Sequence, residues 1–311
     1  MKRFFIWGMD LRQLHTLIAV ADTGSFAGAA RIVHLTASAV SQQIQALEGE
    51  LGVAVFDRAK RPPQLNAKGE EVVRAARQVV QIMAETRMSI SGTRMSGVLK
   101  IGAIRTVSMR LVPRVFTRMR GIYPDLSFDL TVELSERLTL DVSAGRLDAA
   151  IVAEQVGVPA GLSWAPVLTE PLMLVAPPET RGLDAARLLR EWPFIRYETG
   201  APLARQIETE LSRLGVSPRL IATANTMPSI IGCVQAGLGV AVVPKMAIAD
   251  APPGSIWCPP SGPGAVTRRL GVIQRQVSSR VRVLESMRDL LSEAAAESGL
   301  AAPDPGAPVG D

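Results

Sequence analysis

The hydrophobic spacing of this chain changes character once, near residue 96, and that change limits its fold more than any other feature. Before it, apolar residues recur every three or four positions, the period of helices. After it, short apolar runs alternate with amphipathic stretches, the signature of an α/β domain. At 311 residues the chain is long enough for two or three domains. Its 47% hydrophobic and 20% charged residues can build real cores rather than a disordered polymer.

In the helical third, Leu11, Leu14, Leu17, Ile18 and Ala21 keep one face up to a Thr23-Gly24 turn. Ser25 is placed to cap a second helix over 26–33, and Thr36 a third that runs to Leu51, where Gly52 stops it. Residues 53–56 and 64–65 read as two brief strands around the basic segment from Arg58 to Pro63. That order predicts a winged helix-turn-helix over residues 1–66. Asn66 then caps one long helix to about Ile90, on which Val72, Ala76, Val79 and Met83 form a heptad-like seam. Such a seam joins two copies of a helix or packs on the chain's own domains. The segment 67–96 is therefore a linker that ends in a Gly- and Ser-containing hinge over 91–97.

Strand-like runs follow at 98–103, 126–132, 149–153, 172–176, 194–197, 220–223, 239–243 and 270–273. Their alternation with helical stretches predicts parallel βαβ units in two lobes. The first lobe takes residues 97–168 and 265–296, the second 169–264, and 297–311 forms a disordered tail by composition. Two lobes joined by crossing strands leave a cleft where small molecules bind.

The net charge of +5 is uneven. Residues 1–96 hold 12 Lys and Arg against 8 Asp and Glu, whereas the remainder holds 22 against 21. A basic first third on a neutral remainder suits contact with nucleic acid at one end. Two cysteines, Cys233 and Cys258, and two histidines, His15 and His34, leave no disulfide scaffold, no metal site and little histidine catalysis. Gly237-Leu-Gly239 lacks the third glycine of a phosphate loop, and no cofactor motif is found. With no run of about 18 apolar residues and no signal sequence at Met1 to Gly8, the chain is expected in the cytoplasm, off the membrane.

The third helix carries the sharpest chemical signal. Val40, Ile44, Leu47 and Leu51 form an inward stripe, while Ser38, Ser41, Gln42 and Gln45 share another face. Gln pairs bidentately with adenine and Ser contacts bases or phosphates, so this face suits the major groove of DNA. Arg58, Lys60 and Arg61 would reach flanking phosphates or the minor groove. Spacing alone equally permits an ordinary solvated face.

These residues resemble a known family. Asp10-Leu-Arg-Gln-Leu14, Gly24-Ser-Phe26, Ala39-Val-Ser-Gln-Gln-Ile44, Leu47-Glu48, Phe56-Asp-Arg58 and Leu65-Asn-Ala-Lys-Gly69 are similar to the start of LysR-type transcriptional regulators. Tyr123-Pro124, Gly145-Arg-Leu-Asp148 and Ala236-Gly-Leu-Gly239 with Pro244 resemble their effector domain, which is built like a periplasmic binding protein. The family often has Arg where this chain has Gln42, and its members commonly begin at the equivalent of Met9, so residues 1–8 read as a misassigned start. The resemblance implies promoter DNA as partner, contacted by Thr36 and the Ser38 face, and a homodimer or dimer of dimers paired through the linker helix. It also implies a small effector held by the turn Ile104 to Ser108, which supplies Thr106 and Ser108, and by facing turns with Ser135, Glu154, Arg196, Thr199, Asn225 and Thr226.

A helix start at Thr106 suits a carboxylate or sulfate, and Arg196, ending a strand, would clamp it from the other lobe unless a nearby acid holds it. A solute-binding protein using the same cleft is the alternative, and it leaves residues 10–65 unexplained.

Overall fold

Three helices and a two-stranded wing open the chain: α1 (Leu11–Thr23), α2 (Phe26–Ile32), α3 (Ala37–Leu51), β1 (Phe56–Asp57) and β2 (Gln64–Leu65). The computed structural model describes residues 10–60, 62–90, 95–259, 266–278 and 280–302. The expectations for residues 1–8, for Arg61, for most of the hinge and for 303–311 lie outside the described residues. Local chemistry fixes each helix start. Asp10 and Gln13 form a reciprocal capping box on α1, Ser25 accepts the Gly28 N–H, and Thr36 accepts the Ala39 N–H. α1 and α3 end at Gly24 and Gly52, whose φ of 61° and 67° is the left-handed conformation glycine adopts without strain. Between α2 and α3 the chain turns at His34, φ 55°, a conformation that costs a side-chain-bearing residue about 1–2 kcal/mol. Leu17, Val40, Ile44, Leu47 and Val55 are fully buried together, so the apolar stripe of α3 faces α1 and the wing.

The long helix α4 (Ala67–Ile90) begins where Asn66 Oδ1 accepts the Gly69 N–H at 2.9 Å. Its first turns belong to the winged domain. Val73 and Ala76 are buried in that core and Val72 packs against it, whereas Val79 and Met83 remain 42% and 50% exposed. This corrects the expected seam. Ala76 is spent inside the chain and Val72 largely so, because α1 and the wing cover the helix until about Val79.

The rest of the described chain comprises β3 (Gly97–Ala103), α5 (Arg105–Ile122), β4 (Leu126–Val132), α6 (Ser135–Ser143), β5 (Ala149–Ala153), β6 (Leu162–Val175), α7 (Ala185–Glu191), β7 (Phe194–Tyr197), α8 (Pro202–Arg213), β8 (Leu220–Ala224), α9 (Met227–Gln235), β9 (Ala241–Pro244), β10 (Thr267–Arg275) and α10 (Val281–Glu297). A six-stranded sheet runs in the order β4-β3-β5-β10-β6-β9. It is mixed, which corrects the expectation of parallel units throughout. β3 is parallel to β4 and β5, but β10 is antiparallel to β5 and β6, and β9 to β6. β10 returns from the second lobe between β5 and β6, with no α-helix among the described residues that join it to β9.

β6 is one strand of 14 residues that crosses between lobes, pairing with β10 along most of its length and with β9 at its last four residues. Sequence pattern assigned only its end to a strand, because Pro166 and Pro171 interrupt the run. Near Pro166 the register shifts between Leu270 and Gly271, a bulge beside the residue that has no N–H to donate. Reciprocal bonds between Ile195, Val240 and Pro193 attach the β7–β8 pair to this framework.

Three cores result. Leu99, Ile101, Leu111, Val272, Met287 and Leu291 fill the first, Val175, Leu188, Ile195, Ile230 and Val243 the second, and Leu138, Val142, Val152 and Ile273 a smaller third under α6. Met246, within the stretch expected in the second lobe, is buried in the first core. Residues 297–302, expected in a disordered tail, are ordered: Leu300 is 6% exposed and Ala301 bridges Thr169. The buried leucine, the Thr169 N–H donated to Ala301 O and the Lys245 Nζ donated to Gly299 O hold this end in place.

Candidate functional site

The outward face of α3 presents Ser38, Gln42 and Gln45 exposed and Ser41 half-buried, on a helix held from behind. Gln43, one position from this face, is turned inward and accepts the Thr16 hydroxyl at 2.5 Å, which pins α3 to α1. Thr36 lies 3.0 Å from the Ser38 hydroxyl while its oxygen caps the helix, so its own role is first structural. In the wing, Lys60 Nζ donates to Gln64 Oε1 at 3.0 Å and Arg58 donates to Glu48 Oε2 at 2.7 Å. Half of the Arg58 side chain stays exposed. Helix and wing thus offer amides, hydroxyls and two cations on one domain, the donor set for base edges and phosphates.

A second site lies between the lobes. A cavity of about 170 Å³ is bounded by the starts of four helices: α5 at Ile104 to Thr106, α6 at Leu134 and Ser135, α8 at Ala201 to Leu203, and α9 at Thr226 and Met227. The first three have no side-chain cap, so the first N–H groups of α5 and α6, and that of Leu203 in α8, lack a helical or side-chain acceptor there; Pro202, the first residue of α8, has no N–H. Each start also carries the positive end of a helix dipole. Tyr197, Asn225, Glu133 and the two cations Arg105 and Arg268 complete the polar lining.

Four of the eight residues expected here line this cavity: Thr106, Ser135, Asn225 and Thr226. Ser135 also accepts the Ala153 N–H at 3.2 Å, and Thr226 caps α9 through the Ser229 N–H. The other four stand elsewhere. Ser108 is buried on the inner side of α5, donating to Arg105 O. Thr199 accepts the Ala201 N–H and shapes the approach to α8. Glu154 pairs with Arg269 at 2.9 Å beside an adjoining, more open cavity of about 660 Å³ that shares Ala153, Pro202, Leu203 and Arg268 with the first. Arg196 lies 3.0 Å from Glu208 on α8, outside the cavity lining, so it is not the clamp its strand-end position suggested.

Two guanidinium groups line the cleft, the exposed Arg105 at the start of α5 and the buried Arg268 of β10, and sequence reading missed both. Arg268 is held by the fold. It is 7% exposed, donates from Nε to Glu170 Oε2 at 2.8 Å and from Nη2 to the Thr106 hydroxyl at 2.8 Å. Glu170, fully buried on β6, also accepts the Met246 N–H at 2.6 Å. The available signal was the pair Arg268-Arg269 opening a strand, since neighbouring strand residues face opposite ways and one of two must point inward. Because Glu170 neutralises Arg268, the remaining positive potential of the cleft comes from Arg105 and the helix ends, with Glu133 opposing it.

Cys233 and Cys258 are free and partly buried in the second core. Burial pushes the Cys258 thiol up, away from the reactive thiolate. Among the described residues no cluster of His, Cys, Asp and Glu could hold a metal ion, and no helix is long and apolar enough to cross a membrane.

Two family models match the chain: a bacterial regulatory helix-turn-helix of the lysR family over residues 11–70, and a LysR substrate binding domain over 92–296. The HTH-type transcriptional regulator CzcR of Bacillus anthracis is 30% identical over 241 residues, 77% of this chain and 82% of that protein. Among solved structures, a full-length OxyR variant from Pseudomonas aeruginosa superposes with a TM-score of 0.78 at 24% identity, covering 96% of this chain and 99% of that one. Full-length LysG from Corynebacterium glutamicum, with its effector arginine bound, gives 0.69 at 23% identity over 95% and 100%.

Proposed function

The chain belongs to the LysR family of DNA-binding transcriptional regulators with an effector-binding domain, and from that premise we propose that a small anion, held where four helices begin, sets how α3 reads operator DNA. The observation that carries this reading is the convergence of α5, α6, α8 and α9 on one cavity. Free N–H donors and dipole ends stabilise negative charge, and Thr106, Ser135 and Asn225 add neutral hydrogen-bond partners. A dry cavity of about 150 Å³ accommodates a benzene-sized molecule. The effector class is therefore a carboxylate of roughly benzoate or small dicarboxylate size.

In this reading the segment up to Asn66 binds DNA, with Gln42 and Gln45 at base edges and Arg58 and Lys60 at flanking backbone. Val79 and Met83 on α4 join two copies, so that two α3 helices meet two half-sites. Because α5 and α6 belong to one lobe and α8 and α9 to the other, an anion that touches both favours the closed form. Closure would then change the setting of the linker helices and the spacing of the readers. A solute-binding role leaves the domain over residues 11–70 with nothing to do.

Thermal-shift screening of small carboxylates against neutral isosteres of the same size tests the ligand class. A carboxylate should stabilise the protein and change the DNA footprint, and Thr106→Val should weaken it. A neutral isostere that binds equally well would overturn the anionic assignment.

A further inference from the structure

We propose that Glu48 is a positioning residue for sequence discrimination: it sets, from the recognition helix, where the wing presents Arg58. This rests on the reading of α3 and the wing as the DNA-contacting surface. Glu48 sits in the last turn of α3 with its side chain 13% exposed. One oxygen, Oε1, accepts the Val55 N–H at 2.8 Å and the Phe56 N–H at 3.2 Å, at the entry to the wing. The other, Oε2, accepts from Arg58 Nη2 at 2.7 Å. A single carboxylate therefore ties the recognition helix to the wing backbone and to the wing's arginine.

The consequence for DNA is specific. A guanidinium held by one carboxylate oxygen keeps several donors for a second acceptor, in a plane chosen before DNA arrives. Less freedom is lost on binding, and the register of the wing follows the register of α3 in the groove. The pair is also nearly neutral. Arg58 thus adds little counterion release, unlike Lys60, whose partner is the uncharged Gln64. Arg58 acts through placement more than through charge, and Glu48 governs that placement.

The test uses the full-length protein, a duplex selected by the wild type from a randomised pool, and random duplex of equal length. Glu48→Gln keeps an acceptor for the two backbone N–H groups but gives Arg58 an amide NH₂ in place of its carboxylate oxygen. We expect the operator-to-random affinity ratio to fall about tenfold and the salt dependence to steepen by about one unit. Glu50→Gln is the control: it removes the same charge from the same helix, but Glu50 contacts Gln13 and not Arg58. It should raise both affinities alike and leave the ratio intact.

Arg58→Lys, which leaves the Glu48 cap of the wing in place, should lower the ratio at unchanged net charge and covers the case in which Glu48→Gln fails to fold. Arg58→Ala separates the premise from the proposal. If it changes neither affinity, the wing reading itself fails. If it lowers the ratio while folded Glu48→Gln behaves like Glu50→Gln, the role of Glu48 is overturned and the wing stands.

Discussion

Replacing Arg268 by Met removes the positive half of a pair whose negative half has no other route to charge compensation. Glu170 is fully buried, and besides Arg268 it has only the neutral Met246 N–H, at 2.6 Å. Arg268 gives that carboxylate one hydrogen bond, 2.8 Å from Nε, and an ion-pair contact of 2.6 Å from Nη2, which itself donates to Thr106. Breaking a buried pair by deleting one partner costs about 3–5 kcal/mol, because the remaining charge must be held without a counterion. Removing both charges is far milder. Arg268→Met with Glu170→Leu replaces the pair by apolar groups and leaves one unsatisfied N–H, a penalty of about 1–3 kcal/mol that better packing offsets in part.

The assay is urea unfolding followed by tryptophan emission. Three of the four tryptophans, Trp164, Trp192 and Trp257, lie in the effector domain, so in a Trp7→Phe background the signal reports that domain rather than the winged one. The single variant should lose several kcal/mol and the double variant recover most of it. A single variant within about 1 kcal/mol of wild type, or a double variant no better than the single, would refute the reasoning. Either result would mean that water or a rearranged neighbour compensates Glu170.

Three further outcomes follow from the geometry. Gln42→Ala should cost about 1–3 kcal/mol at the selected operator and leave random DNA nearly unaffected, measured by fluorescence anisotropy; equal loss on both would remove Gln42 from base reading. Val79→Asp should dissociate the dimer in sedimentation, since the exposed Val79 would carry a charge into an apolar contact with its symmetry mate, and a folded variant of unchanged mass would move the interface elsewhere. Gly69→Ala should destabilise the winged domain by at least about 1–3 kcal/mol in thermal melts, because an added Cβ would stand 2.1 Å from the Val55 carbonyl oxygen and 2.8 Å from Leu65 Cδ2; an unchanged midpoint would show that the wing shifts freely against α4.

By itself the sequence determined everything that depends on neighbours along the chain. The caps Ser25, Thr36 and Asn66 and the stops Gly24 and Gly52 act within three or four residues, so the winged domain and the start of α4 were legible. So was the outward face of α3, because helical period alone sets Ser38, Gln42 and Gln45 apart from Val40, Ile44 and Leu47. Strands such as β4, β5 and β7 were readable to the residue: β5 is an uninterrupted apolar run and β4 alternates apolar with polar residues. The start of α5 at Thr106 was also legible, whereas Ser135, Asn225 and Thr226 were expected from the family resemblance; all four line the cleft.

Tertiary structure alone decided which distant groups meet. β6 reads as broken because of Pro166 and Pro171, yet β10 and β9 complete it by pairing from positions about 100 and 70 residues away. That pairing places Arg268 over Glu170 and beneath Thr106. In the same way α8 folds back to give Arg196 its partner Glu208, and α1 and the wing cover Ala76. A charge on a strand advertises its sign but not its partner, and an apolar residue on a helix its face but not what covers it. Both are settled by strand order and helix packing, which join residues whose separation along the chain no local period records.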